Sequence, residues 1–141
     1  MKYSKWPKRD PIKNYFPVPN EVFLFGLSPG ELAVYSYLLF CEDRSTYQCW
    51  PSFKTIGKAT GMSPNTVRKY VRMLEERGLI TTESTSIITK DGQKRNGNLL
   101  FTIRPIQEAV EQFYQQQLEI ISLDVQREKA SGTKVKQERP A

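Results

Sequence analysis

Residues 61–80 read GMSPNTVRKYVRMLEERGLI, and how this stretch is disposed decides the fold. Ser63 suits a helix N-cap, Pro64 the first helical position and Gly78 a stop. At about 100° per residue, Val67, Val71 and Leu74 fall in one narrow sector, the core side. Asn65, Lys69 and Arg72 lie opposite, with Arg68 on the flank. No acid interrupts this outer face before Glu75 and Glu76. A solvated helix usually mixes both signs for i,i+4 pairing. Cations near a helix N-terminus gain nothing from the macrodipole, which favours anions there. An external anion is therefore the simpler explanation for the segregation, and a solvated face the alternative.

Working outward, PSFKTIGKATG (residues 51–61) predicts a short preceding helix. Ser52 caps it, Ile56 and Ala59 are expected to face inward onto Val67 and Val71, and Gly61 permits a tight turn. Further upstream, LSPGELAVYSYLLFCED predicts a first helix with a Ser28–Glu31 capping box and Pro29 at its first position. Leu32, Val34, Tyr35, Leu38 and Leu39 give it a core face. EDRSTYQCW reads as a polar connection closing on an aromatic.

Downstream, LITTESTSIITKDGQKRNGNLLFTIRP predicts a two-stranded hairpin. Thr and Ile dominate its first arm, Asp91-Gly92 marks the turn, and Leu99, Phe101 and Ile103 alternate as in a half-buried strand. The tip is rich in Lys90, Lys94, Arg95, Asn96 and Asn98. It reads as a contact for a phosphate backbone or minor groove, or as a merely soluble loop. From Ile106 to about Glu128 apolar residues recur at spacings of three and four, predicting one more helix. Its stripe has to be covered, either by the first helix or by a second copy of the chain.

This order is the plan of a winged helix-turn-helix. The fold class expected is mainly α with a small antiparallel β-hairpin: a three-helix core, a wing and an added C-terminal helix. Residues 1–20 read as a basic extended arm, since three prolines lie between Pro11 and Pro19. The arm either packs its aromatics on the domain or lies near a phosphate backbone. Residues 21–104 form the expected domain, 105–128 the helix with a possible dimer role, and 129–141 a flexible tail.

Charge follows the same division. The chain has 141 residues and a net charge of +6. Residues 50–104 carry +6, residues 1–20 carry +4, and residues 21–49 carry −3. Such a balance implies an acidic partner, with nucleic acid first and an anionic membrane surface second. No run of about 18 apolar residues is present, so no membrane span is expected. The basic N-terminus lacks the apolar core of a secretory signal, which implies a cytoplasmic protein.

Two cysteines, Cys41 and Cys49, and no histidine leave too few ligands for a zinc shell. In a reducing compartment both thiols should stay free. The missing histidine removes the commonest general base, and no phosphate loop or nucleophile elbow appears. No enzyme, no cofactor, no metal site and no small-molecule ligand is evident from the residues. In a major groove, Arg72 and Asn65 are suited to reading guanine and adenine, while Lys69 and Arg68 suit phosphates.

CWPSFKTIGKATGMSPNTVRKYVRMLEERGLI resembles the winged helix-turn-helix of bacterial GntR-type regulators. It is closer to the helix-turn-helix domain of replication-initiator-like proteins and small regulators of plasmids, phages and integrative elements. FPVPNEVFLFGLSPGELAVYSYLL resembles the opening of that domain. The marks are Pro51-Ser52, Gly61-x-Ser63, Thr66-Val67-Arg68, Leu74 and Gly78-Leu79-Ile80, and the likeness covers roughly residues 15–104. It implies Ser52 near a phosphate, Thr66, Arg68 and Arg72 as recognition contacts, and Leu79 and Ile80 as anchors of the wing. The helical wheel instead sets Thr66 beside the core edge. The large effector domain of GntR regulators is missing, so a stand-alone DNA-binding module is expected, with no effector pocket visible.

Together these readings nominate Ser52, Ser63, Asn65, Thr66, Arg68, Lys69, Arg72, Lys90, Lys94 and Arg95 as contacts to double-stranded DNA. Sequence-specific binding by a transcriptional regulator, dimeric through the C-terminal helix, is the first reading. A replication accessory of a plasmid or mobile element is the second. A protein-interaction module on the same scaffold is the third.

Overall fold

The computed structural model describes residues 15–131. The remainder of the expected arm, residues 1–14, and of the expected tail, residues 132–141, lies outside the described residues. A 3-10 turn, Asn20–Leu24, leads into helix α1, Pro29–Cys41. Strand β1 is Gln48–Cys49, followed by α2, Phe53–Thr60, and α3, Pro64–Glu76. Four more strands follow: β2 (Ile80–Glu83), β3 (Ser86–Ile88), β4 (Lys94–Asn96) and β5 (Leu100–Ile103). Helix α4, Ile106–Ala130, closes the described chain. The mainly helical architecture with a small antiparallel wing is the one expected. None of the helices among the described residues is long and apolar enough to cross a membrane.

Local chemistry sets the helix starts. Ser28 and Glu31 form the reciprocal capping box on α1. Ser52 Oγ accepts from the Thr55 amide at 3.1 Å, and Ser63 Oγ from the Thr66 amide at 3.2 Å. Each cap therefore satisfies one of the orphan amides at its helix start.

The three helices meet around Val34, Tyr35, Leu38, Ile56, Val67, Val71 and Leu74, with Leu79 just before the sheet and Ile80 and Phe101 within it, all buried. Glu31 is the one charged side chain in this interior among the described residues, at 1 % exposed. Arg77 Nε meets its Oε2 at 2.6 Å, and Arg77 Nη1 donates to the Phe25 carbonyl at 2.7 Å. Burial by itself raises the Glu31 carboxyl. The hydrogen bonds from Arg77 and Ser28, with the Arg77 charge, outweigh it and hold the carboxyl below its ordinary range.

Three expectations are corrected. Ala59 does not face inward: it is exposed, and Gly57 is the buried residue of that turn. The reason is how tightly α2 hands over to α3. A Cβ on Gly57 would lie 2.3 Å from the Met62 carbonyl oxygen. Gly61 makes the turn itself with φ of 73°.

The connection 42–50 is not merely polar. It turns at Asp43, whose carboxylate accepts from the Ser45 amide at 2.8 Å, and returns as β1. Antiparallel pairing places Gln48 opposite Thr102 and Cys49 opposite Phe101. Strand β1 thus adds a third strand to the root of the wing, in the order β1-β5-β2. Cys41 and Cys49 are both free thiols, and burial pushes the Cys49 thiol up to about 12.

The wing is also not one continuous hairpin. Its root pairs Ile80 with Ile103 through Glu83 with Leu100. Its tip is a separate two-stranded ribbon, pairing Ser86 with Asn96, Ile87 with Arg95 and Ile88 with Lys94. Between them Gly97 N donates to the Thr85 carbonyl at 2.8 Å, and Thr85 Oγ1 donates to the Asn98 carbonyl.

Helix α4 is seated only by its first two turns. Ala109 is fully buried, Ile106, Val110 and Phe113 pack on the core, and Phe25 meets Phe113 edge to face. Gln112 Nε2 donates to the Glu76 carbonyl at 2.7 Å, satisfying an end carbonyl of α3. From Tyr114 to Ser131 every side chain is exposed. Cover of the apolar stripe by α1, one of the two arrangements open from sequence, is therefore not what the fold adopts.

Candidate nucleic-acid interface

Helix α3 divides as its periodicity predicts. Val67, Val71 and Leu74 are buried, while Asn65, Arg68, Lys69 and Arg72 are exposed. No acid lies in the first turn of α3. The exposed face is therefore cationic up to Glu75, with nothing on the helix to neutralise it.

Two of these cations are held in place by rings. The Arg68 guanidinium lies over Phe53, 5.5 Å from the centroid, and Lys69 Nζ lies 5.4 Å from the Tyr70 centroid. Such contacts restrain long side chains without consuming their hydrogen-bond donors. Phe53 was not singled out by sequence reasoning. Its signal was available: an aromatic directly after the Ser52 cap, at the start of the helix that supports α3.

Ser52, Ser63 and Thr66 lie at the two helix starts. Their hydroxyls form local pairs, Ser52 with Thr55 at 2.9 Å and Ser63 with Thr66 at 2.8 Å. Thr66 is half-buried, in keeping with its place at the edge of the core face.

A groove of about 430 Å³ separates α3 from the wing root. Phe53, Arg68 and Arg72 line one side, Thr82 and Leu99 the other. Thr82 Oγ1 donates to Glu75 Oε1 at 2.8 Å, tying the wing root to the end of α3. Glu75 is thus engaged by the wing. Asn98 Nδ2 donates to the Trp50 carbonyl at 3.1 Å, fastening the other strand to the start of α2. Asn98 therefore anchors the wing and does not belong with the free amides at its tip.

At the tip, Lys90, Lys94 and Arg95 are exposed. Because side chains alternate across a strand, Lys94 and Arg95 project from opposite faces of the ribbon. Ile87 and Ile88 are exposed beside them, at 56 % and 79 %. The tip thus combines cations on both faces with two apolar side chains. The structure brings Asn65, Arg68, Lys69 and Arg72 together on one face. Lys90, Lys94 and Arg95 form a second cluster, on the tip ribbon beyond the groove.

Three packed helices, the third presenting an exposed basic face, and an antiparallel wing beside it make a winged helix-turn-helix architecture. Residues 26–80 match the family model of a helix-turn-helix domain, a span that takes in α1, α2 and α3. No curated protein matches the chain. Among solved structures, the chain is similar to a possible transcriptional regulator from Methanosarcina mazei Go1. That likeness has 16% identity and a TM-score of 0.48, covering 73% of this chain and 80% of the other. A probable transcriptional regulator from Pseudomonas aeruginosa is 24% identical, with a TM-score of 0.37 and 75% of each chain covered. BpsR of Bordetella bronchiseptica, whose DNA binding is regulated by 6-hydroxynicotinic acid, is 20% identical. Its TM-score is 0.37, with 77% of each chain covered.

Proposed function

We propose that this chain binds double-stranded DNA in a sequence-specific manner and acts as a transcriptional regulator. The observation that carries the reading is the acid-free face of Asn65, Arg68, Lys69 and Arg72, exposed directly opposite a buried Val67, Val71 and Leu74. In helix-turn-helix proteins the second helix of the motif enters the major groove, N-terminal residues first. Here that helix is α3. Asn65 and Arg72 are the base readers, and Lys69 with the ring-held Arg68 takes phosphates. The capped starts of α2 and α3, at Ser52, Ser63 and Thr66, bring their hydroxyls and the uncapped amides of each first turn to the backbone. Lys90, Lys94 and Arg95 carry the wing onto the adjacent backbone or minor groove.

A replication accessory would use the same face, so the chemistry of the helix is shared by both roles. Neighbouring genes for a primase, helicase or relaxase would favour the replication role.

The regulator acts as a dimer through α4. Tyr114, Leu118, Ile121 and Val125 follow one another at spacings of four, three and four, the a/d pattern of a short coiled coil. Leu118 and Ile121 are 65 % and 59 % exposed. In a parallel pair with this register, Asp124 of one copy faces Lys129 of the other across g and e positions, with opposite charges.

Fluorescence anisotropy with a random duplex at rising salt tests the core of the reading. Affinity should fall by about 0.9 log units per log unit of salt for each phosphate neutralised. Absence of binding at about 50 mM salt, where non-specific contacts are strongest, would overturn it. Selection of bound duplexes from a random pool then tests specificity. A palindromic site, with half-sites about 34 Å apart, is the result a dimer predicts.

A further inference from the structure

We propose that the cavity between the C-terminal half of α1, the 43–48 turn and the β5–α4 junction binds a small organic cation with an apolar body, of the arylalkylamine class. This site is separate from the α3 face and from the wing tip, though it borders the wing root at Ile103.

The cavity has a volume of about 350 Å³. Small-molecule sites begin at about 300 Å³ and are mostly apolar with a few placed polar groups. Leu39, Ile103, Pro105 and Ile106 supply apolar wall, and Tyr35 and Tyr47 supply aromatic wall. Glu42 is the acid in this lining. Its Oε2 is buried and has no hydrogen-bond partner among the described residues. A buried carboxylate oxygen is costly to leave unmatched.

Several features select the sign of the occupant. Glu42 is the C-cap of α1, where the helix presents its unsatisfied carbonyls and the negative end of its dipole. Arg104, also in the lining, is drawn toward Glu108: its Nε and Nη2 donate to both Glu108 carboxylate oxygens at 3.1 and 3.0 Å. Arg44 attracts the Glu42 carboxylate, but burial prevails and pushes the carboxyl above its ordinary range. Burial and the nearby Glu42 likewise push the Tyr35 hydroxyl up to about 12, so it stays protonated. The cavity thus offers a carboxylate acceptor, electron-rich rings and apolar walls. An ammonium on a compact hydrophobic body answers all three, through a charge-assisted hydrogen bond and ring contacts. An anion would meet the Glu42 carboxylate, and the one cation in the lining, Arg104, already donates to Glu108.

The walls also give the site a lever. Ile103 ends β5 at the wing root and Ile106 begins α4, so an occupant touches both elements together.

The probes are 2-phenylethylamine, its neutral analogue 2-phenylethanol and the anionic 3-phenylpropanoate, titrated into the full chain by amide NMR. The amine should shift the amides of Glu42, Arg104 and Ile106 saturably. It should bind at least about tenfold more tightly than the alcohol, one charge-assisted hydrogen bond's worth, with no shifts from the propanoate. Glu42→Gln should abolish the preference for amine over alcohol. Equal binding of amine and alcohol to the wild-type chain would overturn the proposal. So would silence of those three amides at about 10 mM amine, a concentration at which even millimolar affinity saturates. The wild-type ranking decides the matter even if Glu42→Gln fails to fold.

Discussion

Arg77 and Glu31 lie 46 positions apart in the chain, yet two guanidinium nitrogens of one meet both carboxylate oxygens of the other, at 2.6 and 3.3 Å. The contact joins the C-terminal cap of α3 to the first turn of α1. The same carboxylate closes the capping box of α1. One side chain therefore fixes both the start of α1 and its attachment to the helix that bears the basic face.

Removing the Glu31 charge should be expensive. Breaking a buried ion pair costs about 3–5 kcal/mol, and partial exposure of Arg77 places this one near the lower bound. Glu31→Gln should lower the urea midpoint accordingly, without changing the slope of the transition. The pH dependence has a definite sign. The folded carboxyl titrates below its ordinary value of 4.5, so its stabilisation is present above that pH. It is lost as pH falls through the lower, folded value. In Glu31→Gln the loss of stability on the acid side of 4.5 should be shallower than in the wild type, as measured by urea unfolding across that range.

Gly57 and Gly61 should respond differently to alanine. At Gly57 the new methyl meets backbone, so α2 and α3 must separate, at roughly 1–3 kcal/mol by analogy with overpacked cores. At Gly61 nothing lies within 4 Å, and only the left-handed φ is penalised, by about 1–2 kcal/mol. Gly57→Ala should therefore also weaken DNA binding by displacing α3, while Gly61→Ala leaves affinity near wild type at temperatures where it is folded. Parallel denaturation and anisotropy measurements separate the two.

Substitutions on the basic face should divide by role. Arg72→Ala and Asn65→Ala should each cost about 1–3 kcal/mol on the preferred site and relax sequence preference there. Lys94→Ala should weaken all duplexes alike and reduce the salt slope by about one contact. Unchanged binding in an Arg68→Ala, Arg72→Ala double variant would show that α3 is not the reading element.

Leu118→Glu with Ile121→Glu should leave the domain folded and make it monomeric. Both side chains lie beyond the last residue of α4 that touches the core, so unfolding by heat should be little changed at low concentration. Sedimentation equilibrium should show a dimer for the wild type and a monomer for the variant. A monomeric wild type at about 100 µM, well above the concentration needed to populate a micromolar dimer, would reject α4 as the dimer element.

The parts of the fold readable from sequence are those governed by neighbours within four residues. Ser28, Ser52 and Ser63 act on amides three positions away, so the helix starts are local facts. The division of α3 follows from its period alone. What could not be read depends on contacts across the chain. Strand β1 is two residues long and has no alternation to reveal it; only β5, some fifty positions later, makes it a strand. Ala59 and Gly57 occupy nearly the same helical turn, and the Met62 carbonyl decides which is buried. Of the nominated side chains, the face of α3 was legible as a face. The support of Arg68 by Phe53 and the service of Asn98 as a fastener needed coordinates.

The wing's division into two ribbons has a further consequence. The root is fixed to the core through Thr82, Asn98 and the pairing with β1. The tip hangs from the short junction around Thr85 and Gly97. None of residues 86–96 belongs to the buried interior. Their identities are thus released from the demands of folding, and mutation can change what the tip contacts while the rest of the molecule stays as it is.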